Sequence, residues 1–346
     1  MKKLKSIFVV LVILSLCLFL QLNVNAQSNT IVIPDDFHTI QEAIDNANSG
    51  DTIYVKKGVY HENLGIRVSI RLIGEDRYST IIDGNTSQSY RVPINIFCSN
   101  VTISGFTLSY GYAGIQFQGG ENCTISKNKI NNGQFGIRGG NWNKIEDNIF
   151  ENIGLGGAIR FDGSSHNIVQ RNFINSCTEG VQVMWGSHYN TITENTISDC
   201  NDVGIRLQES DWNSVSENTV RNNGAGISIY IANTNSIQNN NFINNSINVG
   251  ADEWYARQWG HGYSLNTWEK NYWSDYNGTD NTGDGIGDSP YEINEVNRDN
   301  YPKIEPVNVP EFIPEFSSLP LLFAGFFSIA VFSIIYKRQF KQGRRK

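Results

Sequence analysis

The sequence predicts an all-β solenoid of parallel strands, and three observations predict it. A short pattern, polar-Ile-polar-x-Asn-x-apolar, recurs over residues 102–108, 124–130, 144–150, 168–174, 191–197, 214–220 and 236–242. Its lead apolar residues (Ile103, Ile125, Ile145, Val169, Ile192, Val215 and Ile237) lie 20–24 residues apart. Midway through the periods a Gly-apolar pair falls at Gly114, Gly136, Gly180, Gly204 and Gly226, with Gly157-Ala158-Ile159 a near match. Units of about 22 residues are too short for a propeller blade of roughly 40–45, and they hold too little Leu for a leucine-rich repeat. Two or three short strands with Asn and Gly corners fit one coil of a parallel β-helix, with coils about 4.8 Å apart. The expectation is a right-handed, single-stranded parallel β-helix of roughly nine or ten coils. A short N-terminal capping helix and a C-terminal transmembrane helix complete it.

Each segment follows from its residues. Residues 1–26 read as a secretory signal peptide, with Lys2, Lys3 and Lys5, an apolar run over 7–20, and Val24-Asn25-Ala26 before Gln27. Residues 27–60 form an N-terminal cap and the first strands. Thr39-Ile40-Gln41-Glu42 has capping-box spacing, Ile40, Ala43, Ile44 and Ala47 make a helical stripe, and Gly50 is expected to end the helix. Such a helix would cover the open first coil, as the end unit of a solenoid requires. Residues 61–250 hold the repeats. Strand alternation sends Ile103 and Ile125 to one face and Ser104 and Ser126 to the other. Asn128, Asn148, Asn172, Asn195, Asn218 and Asn240 form one column, with Phe106 in that place in the first copy; we read it as a stacking and turn device. Residues 251–305 form an aromatic and acidic C-terminal cap, and 306–318 a Pro-containing linker. An apolar run over 319–336 is long enough to cross a bilayer, and the basic tail, 337–346, places that end in the cytoplasm.

Net charge is −7, but nine of the 27 cations lie in the two end segments. The body between them carries 34 acids against 18 bases, or −16. That excludes nucleic acid as a natural partner, because phosphate neutralisation needs clustered Lys and Arg.

An outward column follows each Gly-apolar pair: Gln116, Arg138, Arg160, Gln182, Arg206 and Ser228. Arg138, Arg160, Gln182 and Arg206, with Trp185 and Trp212 near that edge, suit a polysaccharide through bidentate hydrogen bonds and ring stacking. Asp162, Asp199, Asp202, Glu209 and Asp211 are the candidate catalytic carboxylates, since glycoside hydrolysis needs two of them roughly 5–9.5 Å apart. No short motif singles out a pair. Cys177 and Cys200 hold equivalent places in successive copies, at a separation that suits either a disulfide or stacked thiols. Asp280, Thr282, Asp284, Ile286 and Asp288, with Gly285 at the sixth place, follow an EF-type spacing for calcium, although Tyr291 stands where the bidentate Glu belongs. His166 and His188 sit at different offsets in their copies and do not make a metal pair by spacing. Asn85, Asn100, Asn122, Asn244 and Asn277 open glycosylation sequons.

Three resemblances add to this. The run Thr39-Ile40-Gln41-Glu42-Ala43-Ile44, with Gly50-Asp51-Thr52-Ile53 and Gly58-Val59-Tyr60-His61-Glu62, resembles the start of pectin-lyase-like β-helix proteins. Asn271-Tyr272-Trp273-Ser274-Asp275-Tyr276 through Asp288-Ser289-Pro290-Tyr291 is similar to NosD-like proteins. Val309-Pro310-Glu311-Phe312, with the apolar run and the basic tail behind it, resembles the PEF-type sorting signal of archaeal surface proteins. The last resemblance implies removal of the tail by a processing protease of archaeosortase type. The β-helix resemblance implies a fold shared by lyases, hydrolases, epimerases and non-catalytic surface proteins; the NosD resemblance implies a copper accessory role. From the residues we expect an exported, membrane-anchored surface protein that binds glycan or another surface polymer without catalysis. A polysaccharide lyase or hydrolase acting on an acidic polysaccharide, and a copper accessory protein, are the alternatives.

Overall fold

The computed structural model describes residues 28–84, 92–251 and 263–309. The signal segment, the Asn85 sequon, the apolar run over 319–336 and the basic tail lie outside them. Among the described residues no helix is long and apolar enough to cross a membrane.

Parallel strands stack into a β-solenoid of about ten turns. Among the described residues one sheet holds eleven strands, from Thr30–Ile33 and Thr52–Val55 through to Ser236–Gln238 and Thr267–Glu269. Its inward column is Ile53, Leu72, Ile103, Ile125, Ile145, Val169, Ile192, Val215, Ile237 and Trp268, each paired in register with the next. All are buried. A second face carries strands such as Phe173–Asn175 and Thr196–Ser198, and a third carries Ile159–Asp162, Val181–Met184 and Val203–Gln208. The Gly-apolar pairs lie on this third face. Gly there is required by close approach: a Cβ on Gly180 would lie 2.3 Å from the Gly204 carbonyl oxygen.

The helix α1, Ile40–Asn46, buries Ile40, Ala43 and Ile44 against the first coil. Thr39 Oγ1 accepts from the Glu42 amide at 3.1 Å, and the Glu62 carboxylate accepts from Ile40 and Gln41 at 3.0 Å. Orphan amides of the first turn are thus satisfied from two directions. The helix stops earlier than expected, with Ala47 as C-cap. Gly50, at φ +95°, makes the turn that follows.

The Asn column is inside the molecule. Asn128, Asn148, Asn172, Asn195, Asn218 and Asn240 are fully buried. Each Nδ2 donates to the Oδ1 of the next at 2.9–3.2 Å. The ladder runs on through Asn271 to Asp299. Left-handed geometry belongs to the residue before each Asn (Lys127, Asp147, Arg171, Glu194, Glu217, Asn239 and Lys270, φ +50° to +57°), not to the Asn itself. A left-handed turn faces its own side chain outward and the next one inward. A second buried ladder at another corner, Asn143, Asn167, Asn190, Asn213 and Asn235, leads on to the half-buried Asn266 and the buried Asn297. At the third corner Cys177 and Cys200 stack one coil apart as buried free thiols.

Candidate ligand-binding face

The third face presents the expected outward column. Gln116, Arg138, Arg160, Gln182, Arg206 and Ser228 pair in register along the axis. Its members differ sharply in surroundings. Asp162 sits between two guanidiniums: Arg138 donates through Nε and Nη2 at 3.2 and 3.1 Å, and Arg160 through Nε at 2.8 Å. Arg138 also donates to the Tyr112 hydroxyl at 3.0 Å. Both guanidiniums lie over the Phe135 ring, at 5.1 and 5.5 Å, and Arg160 lies 5.0 Å from the centre of Trp185, which is half exposed. Two cations on one carboxylate leave a local positive excess in an acidic body.

Gln182 departs from expectation. It is 3% exposed, because the turn ending at Gly157 packs on it so closely that a Cβ there would lie 3.3 Å from its side chain. Its Oε1 has no hydrogen-bond partner among the described residues. The expected exposed contact at this point of the column is therefore covered. Arg206 is bound bidentately by Glu179 at 2.9 and 3.1 Å and touches Asp202 at 3.2 Å. Desolvation, and then the neighbouring Glu179 charge, hold the Asp202 carboxyl above its ordinary range.

The candidate carboxylates have different partners. Asp162 is committed to arginines; Asp199 accepts from Asn175 at 2.9 Å; Glu209 meets Gln208 at 3.5 Å; Asp211 accepts from the Asn233 amide at 2.6 Å. Asp202 does adjoin a second carboxylate, Glu179, which was not among the candidates expected from the sequence. Its signal was its place just before Gly180-Val181, one coil from Asp202. Trp212 is not beside Trp185. It belongs to an exposed stack with Tyr189, His166 and Trp142 at another corner.

The acidic C-terminal loop folds on itself. Asp280 accepts from the amides of Gly285, Gly283 and Asp284 at 2.7–3.3 Å, which lowers its carboxyl from the ordinary value. Asp288 accepts from Asn281, Asp284 from the Ile286 amide, and Thr282 Oγ1 donates to Asp280. Among the described residues no three of His, Cys, Asp and Glu come together to hold a metal ion. Copper fits no better. Burial pushes the Cys177 thiol up to about 12 and raises Cys200 too, Met184 is buried, and His188 Nδ1 accepts from the Asp211 amide.

Residues 44–278 match the family described as periplasmic copper-binding protein (NosD). A stretch of 98 residues is 38% identical to a cell surface glycoprotein of Methanothermus fervidus; it covers 28% of this chain but only 16% of that much longer protein. Among solved structures, the A-modules of the Azotobacter vinelandii mannuronan C-5 epimerases AlgE6 and AlgE4 superpose with TM-scores of 0.53 and 0.51, both at 17% identity. They cover 67% of this chain and 81% and 82% of theirs. A PL6 alginate lyase in complex with a trisaccharide has a TM-score of 0.50 at 12% identity, over 75% of this chain and 62% of its own. At such identities the likeness is one of fold.

Proposed function

This chain belongs to the NosD family, and we propose that it works as an exported cell-surface β-helix that binds glycan or another surface polymer along its third face without catalysis. The observation that carries the reading is the Arg138–Asp162–Arg160 cluster, framed by Tyr112, Phe135 and Trp185. It offers fixed donors, a positive excess and a half-exposed ring on an open surface, which suits an extended ligand. The surface glycoprotein relative supports a surface role, and among the described residues no three of His, Cys, Asp and Glu come together to hold a metal ion, which weighs against metal delivery. Residues 319–336 would anchor the body, with removal by an archaeosortase-type protease as a later step.

A second reading has one observation behind it. Glu179 and Asp202 adjoin, with the Asp202 carboxyl held above its ordinary range and Glu179 bound by Arg206. Two carboxyls with divergent environments are what a lyase or hydrolase of acidic polysaccharide would use. One experiment separates the readings. Residues 27–318 are passed over a panel of immobilised acidic and neutral polysaccharides, and the eluates are assayed for new reducing or unsaturated ends. Binding without catalysis predicts retention with no new ends. Retention falls tenfold or more when Arg138→Gln and Arg160→Gln are combined with Asp162→Asn, and is unchanged in Ser228→Ala. New ends that vanish in Asp202→Asn would establish the enzyme instead; no retention on any polymer would refute the binding face.

A further inference from the structure

We propose that Asn122 carries an N-linked oligosaccharide whose first sugar packs on the open face of Trp142, with Asn100 a second acceptor in the same column. The strand registers fix that column. Thr102, Thr124, Lys144, Ile168, Thr191, Ser214 and Ser236 are successive partners along the first sheet. Two residues before each lie Asn100, Asn122, Trp142, His166, Tyr189, Trp212 and Thr234. All seven are left-handed, with φ between +54° and +61°. The residue after each points inward, starting the second ladder at Asn143, so these seven side chains point out. Asn100 and Asn122 are exposed, and Trp142, Tyr189 and Trp212 are each about half exposed.

Four of the rungs are rings lying flat on one another. Trp142 and His166 are 3.8 Å apart at 5°, His166 and Tyr189 5.0 Å at 10°, and Tyr189 and Trp212 5.4 Å at 7°. Rings stacked along the axis turn their faces up and down the column. His166 covers one face of Trp142. The other face looks toward the coil of Asn122, a rung with no ring of its own. The next occupant of that stack needs a flat, partly apolar surface, and the C–H face of a pyranose joined to Asn122 supplies it. Both asparagines also carry the acceptor pattern, Asn100-Val101-Thr102 and Asn122-Cys123-Thr124, and each Thr is held by the start of a strand.

The transfer balances without redox chemistry. The donor is an oligosaccharide joined through C1 to a lipid phosphate. The C1–O bond to phosphate breaks, C1 bonds to Nδ2 of Asn122, the lipid phosphate leaves, and the amide gives up one proton. The proposal rests on export, not on polymer binding by the third face.

The test uses the full chain recovered from the surface of a host that exports it and modifies Asn-x-Thr sites. Peptide mass mapping is expected to find the oligosaccharide on Asn122, lost in Asn122→Gln and in Thr124→Ala, while thermal melting of both variants shows that they fold. Proton NMR of the glycosylated protein is expected to show ring-current upfield shifts of the first sugar. Those shifts disappear in Trp142→Ala, at unchanged site occupancy, and persist in Trp212→Ala at the far end of the stack. An unmodified Asn122 in the exported protein overturns the proposal, and so do first-sugar shifts that Trp142→Ala leaves unchanged.

Discussion

A single buried Asn in this solenoid makes bonds to three coils. Asn172 donates through Nδ2 to Asn195 Oδ1 ahead at 3.0 Å, to the Ile145 carbonyl behind at 2.9 Å and to the Gln170 carbonyl in its own coil. Its Oδ1 accepts both the amide and the side chain of Asn148. Replacing it by Ala strands those donors and acceptors where water does not reach. We expect Asn172→Ala or Asn195→Ala to cost about 1–3 kcal/mol each, measured by denaturant unfolding, with polymer retention preserved in the folded fraction. Equal midpoints for variant and parent would refute the ladder's role. The repetition and stacking of these Asn residues were legible in the sequence; which residue makes the left-handed turn was not. Sequence spacing marks a corner, but only the left-handed φ of the residue before (carried by Lys, Arg, Glu and Asp as readily as by Asn) sets which side chain turns inward.

At the scale of elements, the cap is joined to the first coil by Asp51. This buried carboxylate accepts from the amides of Asn29 and Asn48 at 2.8 Å each, tying the start of the first strand to the turn after α1. The Asn29 amide is the larger cause that lowers its carboxyl below the ordinary value, and the Asn48 amide follows. The folded value lies below the unfolded one. Its stabilisation is therefore complete above the unfolded value of about 3.9 and is lost as pH falls through the depressed folded value. Asp51→Asn should lower Tm at pH 7, and the gap from the parent should close as pH falls below that range. A gap that stays as wide in strong acid, below the depressed value, as at neutral pH would count against this. The strands and α1 were readable from period-two and helical patterns, because burial on one face dictates them. The burial of Gln182 was not, since it depends on how the turn ending at Gly157 drapes over the neighbouring coil. The Glu179–Asp202 contact was marked only by the place of Glu179 just before Gly180, because it joins residues at unequal offsets in two repeats.

Over the whole molecule, a stack of coils contacts only its neighbours, so its ends decide where it opens. Stacked rings and a returning segment close the C-terminal end. Trp273 stacks between Phe242 at 4.6 Å and Tyr291 at 4.4 Å, and the segment near 299 returns across the last coil. There the first Asn ladder ends not on an amide but on the fully buried Asp299. It accepts from the amides of Lys270, Asn271 and Tyr301, from Asn271 Nδ2 and from Trp273 Nε1, at 2.9–3.2 Å. Five donors converge on two oxygens, and an acceptor-only group is what an unending row of amides lacks at its last member. Asp299→Ala would leave those donors buried and unpaired. Because coupling along the stack is local, the loss should open the last coil first. Hydrogen exchange is expected to quicken at 267–273 by tenfold or more, while amides at 102–146 keep the parent's protection. Uniform loss of protection along the chain would mean that the solenoid melts as one unit and that its end is not a separate point of weakness.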